Sequence, residues 1–160
     1  MIYANSVKDY SLECNPSLSI VQEEESQYSK FLYPYQEEVY KIIGACMEVH
    51  KVLGKGFVES IYQEALCIEL TERGIPFEAN KVLKVFYKDI LLKKRFAADL
   101  YVYDKIIVEL KAVDGSLDAH MSQAINYLSA TKEGLALLIN FGSSSLQYRR
   151  VIISKNLKSN

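Results

Sequence analysis

Ala98-Asp99-Leu100-Tyr101-Val102-Tyr103-Asp104-Lys105-Ile106-Ile107-Val108-Glu109-Leu110-Lys111 reads as two short apolar strands around a polar turn. Side chains alternate along a strand, so Leu100 and Val102 share one face, and Ile106, Val108 and Leu110 share one face. If both apolar sets lie on the same side of a sheet, Leu100 pairs with Val108 and Val102 with Ile106. The loop is then Tyr103-Asp104-Lys105, and Asp99 falls across from Glu109, with Cβ atoms roughly 4.5–5.5 Å apart. Lys111 projects from that same face one pleat further on. Two carboxylates and an ammonium on one patch suit a hard divalent cation together with a phosphate. The same residues also suit an ordinary solvated strand face, and a two-residue turn at Asp104-Lys105 would put Asp99 and Glu109 on opposite sides.

The chain's 160 residues, 49% of them hydrophobic, make one domain with room for a sizeable core. The formal charge is −1, unevenly spread. Residues 1–36 carry Lys8 and Lys30 against Asp9, Glu13, Glu23, Glu24 and Glu25, which leaves the remainder at +2. A nucleic-acid surface on such a chain has to be local rather than global. Cys14, Cys46 and Cys67 are odd in number and widely spaced, with no Cys-x-x-Cys pair, as in a reduced compartment. The start of the chain has no basic segment followed by an apolar run, and no apolar stretch is long enough to span a bilayer. The expectation is a cytoplasmic protein with no membrane contact.

Residues 1–33 are polar and acidic without sustained periodicity, and read as a flexible N-terminal extension. Within them, Leu18-Ser19-Ile20-Val21 could add an edge strand. The domain is expected over 34–154, with a tail at 155–160. Pro34 suits the first turn of a helix, Glu37 and Glu38 favour its N-terminal dipole, and Val39, Ile42, Ile43, Cys46, Val49 and Leu53 recur at helical spacing. Gly54-Lys55-Gly56 stops it. A second helix is expected from about Phe57 to Glu72, with Val58, Ile61, Tyr62, Ala65, Leu66 and Leu70 as its apolar stripe, ended by Gly74 and Pro76. Strands follow at Lys81–Tyr87 and Ile90–Lys94 around a Lys88-Asp89 turn, with Phe96–Tyr103 extending the second and Ile106–Ala112 the third. Asp114-Gly115-Ser116 leads into a helix over about Leu117–Lys132. Leu135–Phe141 is almost wholly apolar, as a strand buried on both faces should be. Tyr148–Ser154 is the fifth strand. The order is α-α-β-β-β-α-β-β, and the helix between the third and fourth strands allows them to run parallel.

Gly56-Phe57-Val58-Glu59-Ser60-Ile61-Tyr62-Gln63-Glu64-Ala65-Leu66 resembles the signature of the GxxExxY protein family, within the PD-(D/E)XK nuclease-like superfamily. The resemblance continues through Val85-Phe86-Tyr87-Lys88, Ala98-Asp99-Leu100 and Val108-Glu109-Leu110-Lys111. It then runs through His120, Gln123 and Tyr127-Leu128 to Asn140-Phe141-Gly142, covering roughly residues 36–153. It implies a restriction-endonuclease-like mixed sheet flanked by helices. It implies Asp99 and Glu109 as metal ligands, with Glu59 as a further acid and the Leu110 backbone carbonyl as a further ligand. Lys111 would activate the attacking water and offset charge on the phosphate. Gln123 and Tyr127 match a Gln-x-x-x-Tyr element beside the active site of related nucleases. Two departures stand out. Asp89 follows Tyr87-Lys88 where a Gly is common, and Ala98-Asp99 replaces proline-aspartate, a substitution this family shares.

Other residues have competing readings. Glu59 lies on the helical face of Tyr62 and Leu66, where an acid is costly unless paired or bound to a cation. Tyr62 reads as a packing residue with a hydrogen-bonded hydroxyl. His120 shares a face with Gln123 and Tyr127, but neither it nor His50 has partners at zinc-ligand spacing. Gly54 and Gly56 lack the spacing of a phosphate-cradling loop. Lys93, Lys94 and Arg95 read either as a solvated face or as phosphate contacts. Taken together, the expectation is a Mg²⁺-dependent nuclease hydrolysing DNA phosphodiesters, with Mn²⁺ able to substitute and a homodimer compatible with the sequence. The alternative is a catalytically silent nucleic-acid-binding or regulatory module that retains the fold.

Overall fold

A computed structural model describes residues 34–156. The extension 1–33, including Cys14 and the Leu18–Val21 run, and residues 157–160 of the tail lie outside the described residues. The elements are α1 (Gln36–Leu53), α2 (Glu59–Glu72), β1 (Phe77–Tyr87), β2 (Ile90–Val102), β3 (Ile106–Lys111), α3 (Asp118–Thr131), β4 (Leu135–Asn140) and β5 (Gln147–Ile152), then a single 3₁₀ turn (Ser154–Asn156). One mixed sheet has the strand order β1-β2-β3-β4-β5. β3 and β4 are parallel and joined through α3; all other neighbours are antiparallel. This is a restriction-endonuclease-like α/β arrangement in the expected element order.

The faces of the sheet divide the core. Leu100, Val102, Ile106, Val108 and Leu110 pack with Leu135, Leu137 and Ile139 against α1 and α2. Tyr101, Ile107, Ala136, Leu138 and Val151 pack with Leu117, just before α3, and with Ala124 and Leu128 of α3 on the other side. Every residue of β4 is buried, so an apolar run with no alternation is what a central strand covered on both faces requires. Leu100 pairs with Val108 and Val102 with Ile106 around the three-residue loop Tyr103-Asp104-Lys105. Lys88-Asp89 is the turn between Tyr87 and Ile90.

Several boundaries differ from the sequence expectation. β1 begins at Phe77, not Lys81, because the long β2 supplies partners as far as Val102, opposite Phe77. β5 begins one residue early and ends at Ile152. α2 begins at Glu59, not Phe57, and Val58 and Ile61 are exposed rather than part of the apolar stripe. Tyr62 explains this start. Its buried hydroxyl donates to the Gly54 carbonyl (2.7 Å) and accepts from the Phe57 N–H (3.3 Å), holding 54–57 in a loop. The ring stacks on Phe141 at 4.5 Å. The packing role expected of Tyr62 is the one observed.

Gly142 follows Phe141 where the chain passes against Val113. A Cβ built there would lie 2.4 Å from the Val113 carbonyl oxygen and 2.5 Å from its nitrogen. Backbone cannot yield as a flexible side chain can. Gly142→Ala is therefore expected to lower stability by about 1–3 kcal/mol or more, the scale of overpacking. Urea denaturation checks this; a midpoint unchanged from wild type would show that the loop gives way.

Candidate active site

The site forms where the central hairpin opens. The β2–β3 ladder stops at Leu100↔Val108, one rung short of Asp99 and Glu109. On the other side of β2 the pairing with β1 skips Asn80 and Asp99, and Asn80 takes a positive φ of 52°. The face alternation breaks at the same place. Ala98 belongs to the α3 side of the core, whereas Leu100, two residues on, belongs to the α1/α2 side. Asp99 is therefore not a simple cross-strand partner of Glu109. Its Oδ2 accepts a hydrogen bond from the Leu110 N–H at 2.7 Å, filling with a carboxylate the gap left by the lapsed ladder. An ideal hairpin, as read from alternation, has no such gap.

A second contact fixes Asp99 from behind. Gln63 on α2 donates from Nε2 to the Asp99 carbonyl (2.7 Å) and to Asn80 Oδ1 (3.2 Å). Gln63 and Asn80 thus tie helix, edge strand and Asp99 together at the point of irregularity. Neither was among the residues singled out from sequence. Asn80 offers one local signal, being a residue type that tolerates a left-handed backbone.

Glu109 is only 7% exposed, and its Oε1 is buried with no hydrogen-bond partner among the described residues. Burial, followed by the Asp99 charge, pushes its carboxyl up to about 7; Lys111 and the Asp99 backbone amide pull it down, and Glu59 adds a smaller upward push. Asp99, Lys111 and Glu59 are thus each near enough to Glu109 to act on its charge. Lys111 is half-buried as a residue, and its ammonium makes no hydrogen bond or ion pair among the described residues. Glu59 stands exposed at the first residue of α2 rather than in the core, because the helical face it shares with Tyr62 and Leu66 becomes buried only from Tyr62 onward.

Other predicted residues have contacts or settings of their own. Gln123 donates to the Tyr127 hydroxyl at 2.7 Å, and the Tyr127 ring stacks on Phe96 at 3.9 Å. Neither bonds to Asp99, Glu109 or Lys111. Lys93, Lys94 and Arg95 are exposed on the outer part of β2. His50 bonds the Ser143 carbonyl at 3.0 Å. Buried Asn140, the β4 partner of Lys111, bonds both the N–H and the carbonyl of Val113 and so secures the chain leaving β3.

The donor set fits a hard cation of modest demands. Among the described residues no three His, Cys, Asp or Glu side chains gather as a metal-holding group. Mg²⁺, however, is commonly held by one or two carboxylates, with water and substrate phosphate completing its octahedron. Asp99 and Glu109 supply two, and the unpartnered Glu109 oxygen is the kind of buried group a cation would satisfy. Among the described residues no helix is long and apolar enough to cross a membrane. The family model described as the PD-(D/E)XK nuclease superfamily matches residues 36–151. No curated protein and no solved structure matches the chain.

Proposed function

Because the chain belongs to the PD-(D/E)XK nuclease superfamily, we propose that it is a Mg²⁺-dependent nuclease that hydrolyses DNA phosphodiesters, with Mn²⁺ able to substitute. The observation that carries this reading is the open polar group at the hairpin opening: a buried Glu109 oxygen with no hydrogen-bond partner among the described residues, with the Asp99 and Lys111 charges close enough to act on it. A purely structural cluster would be expected to close such groups onto one another.

Asp99 and Glu109 would hold the ion, with the Leu110 carbonyl as a further ligand and Glu59 able to reach it through water. A bound divalent cation would supply Lewis-acid stabilisation of the phosphorane charge and lower the pKa of water. The chain's own residues do the rest. The Asp99–Leu110 hydrogen bond and the Gln63 contact to the Asp99 carbonyl fix one carboxylate in place before substrate arrives. Lys111 is free to meet the non-bridging oxygens of a phosphate and to offset the charge that grows there in the transition state. Lys93, Lys94 and Arg95, on the strand that leads to Asp99, would contact neighbouring phosphates. Gln123 and Tyr127 would flank the substrate from α3.

A cleavage assay with Mg²⁺ or Mn²⁺ over duplex, junction, free-end, single-stranded DNA and RNA substrates tests the proposal. Metal-dependent cleavage of DNA by wild type, lost in Asp99→Asn and in Lys111→Ala, is the expected result. Cleavage that survives Asp99→Asn would remove this site from the chemistry. Binding without cleavage by wild type would favour the silent-module alternative.

A further inference from the structure

β1 and β2 run well past the rest of the sheet. β2 pairs with β3 only over Leu100–Val102, so from Ile90 to Asp99 it is paired with β1 alone. The two form a two-stranded ribbon with the irregular Asn80/Asp99 position at its root. Its outer part, residues 84–95, holds Lys84, Lys88, Lys93, Lys94 and Arg95 against the single acid Asp89, or +4 in a chain whose total is −1. All five cations are exposed. Asp89 lies 3.6 Å from Lys132 at the end of α3, and the same Lys132 sits over the Phe86 ring at 4.5 Å, bracing the tip. Three residues of β2, Leu92, Lys93 and Lys94, oppose the single Val85 of β1 between the pairs Lys84↔Arg95 and Phe86↔Leu91. Such a bulge re-aims side chains and increases twist. Tyr87 and Ile90, beside the turn, are 62% and 67% exposed, too apolar for a face meant only for water.

We propose that this ribbon is a duplex-DNA-binding arm that lies in the major groove and leads the backbone to Asp99. The inference rests on the nuclease reading and deepens it by naming the substrate form. The major groove of B-DNA is about 12 Å wide and admits a two-stranded ribbon, whereas the deep, narrow major groove of A-form RNA does not. The concentrated positive charge answers phosphates on both sides of a groove, and Tyr87 and Ile90 give the tip an apolar end for base edges such as thymine methyls. From Tyr87 to Asn80, opposite Asp99, seven residue steps at about 3.3 Å span roughly 23 Å, or about seven base pairs at 3.4 Å each. A second copy of the chain is a poor occupant, since a two-fold interface would set this basic surface against itself.

The test is equilibrium binding of the full chain, in EDTA, to a fluorescent DNA duplex of about 20 base pairs, long enough to cover arm and acid group together, over a range of salt concentrations. Each lost phosphate contact lowers the slope of log affinity against log salt by about 0.9, so Lys84→Ala/Lys93→Ala/Lys94→Ala should reduce it by roughly 2–3. Lys84→Arg/Lys93→Arg/Lys94→Arg should keep the wild-type slope, and double-stranded RNA should bind more weakly than DNA. A triple-alanine slope equal to wild type overturns the proposal, as does equal loss in the arginine variant or equal affinity for double-stranded RNA. Loss of self-association with no change in DNA affinity would assign the face to a second copy and overturn it as well. Binding in EDTA involves no cleavage, so the arm can fail while metal-dependent cleavage stands, and cleavage can fail while the arm binds.

Discussion

Glu109→Gln is expected to stabilise the metal-free protein at pH 8 by as much as about 3 kcal/mol and to flatten its stability between about pH 4.5 and 7. The cause is the raised carboxyl of Glu109. It titrates near 4.5 in the unfolded chain and at about 7 in the folded one, where burial, then Asp99, penalise its charge. Between those values the folded state keeps a proton that the unfolded state has released. The contribution is therefore complete below about pH 4.5 and is lost as pH rises through about 7. Above that, wild type carries a buried carboxylate with an unpartnered oxygen, and glutamine carries no charge. Burying the glutamine amide costs something in return, so the figure is a ceiling. Urea denaturation of both proteins from pH 4 to 9 measures the difference. Parallel curves would mean that Glu109 is already ionised at pH 5 and that its burial costs little. The same titration would govern uptake of the proposed cation. A cation must displace the proton, so affinity should rise with pH through about 7 and level off above it.

The second large effect separates Asp99 from Lys111. At a hundredfold excess over its dissociation constant, a divalent cation that binds only the folded protein adds about 2.7 kcal/mol. Asp99→Asn should abolish that gain while leaving the metal-free protein nearly as stable as wild type, because an asparagine carbonyl can still accept the Leu110 N–H. Asp99→Ala should differ, leaving that amide unsatisfied at a cost of about 1–3 kcal/mol. Lys111→Ala should retain most of the metal-dependent stabilisation, since the proposed role of the ammonium is on water and phosphate rather than in holding the ion. Thermal unfolding of the four proteins with and without Mn²⁺ or Mg²⁺ reads out all of this. An identical metal response in wild type and Asp99→Asn would show that the cation binds elsewhere. No metal response in any of them would show that none binds at the concentrations used.

Gln63 shows how far linear pattern can carry a site. The eleven residues from Gly56 to Leu66 mark a helix beside the candidate site, and Glu59 attracts notice as an acid on an apolar face. In the fold Glu59 stands in solvent, and Gln63, four residues on, makes the direct contact to Asp99. A polar residue on an amphipathic helix gives no sign of which strand carbonyl lies opposite. That depends on how the helix crosses the sheet, a property of packing between elements distant in sequence.

Linear pattern was enough for the element order, for the pairing of Leu100 with Val108 and Val102 with Ile106, and for a helical link that lets β3 run parallel to β4. These follow from local rules: alternation fixes faces, glycine and proline fix stops, and an unbroken apolar run marks a strand covered on both sides. Only the tertiary structure decided that the ladder stops before Asp99, because the lapse depends on Asn80 of a neighbouring strand turning left-handed and on Gln63 of a helix holding the exposed carbonyl. It also decided the state of Glu109. Burial, then the nearness of Asp99, make that carboxyl differ from an ordinary surface acid, and desolvation is a sum over atoms brought together from the whole chain.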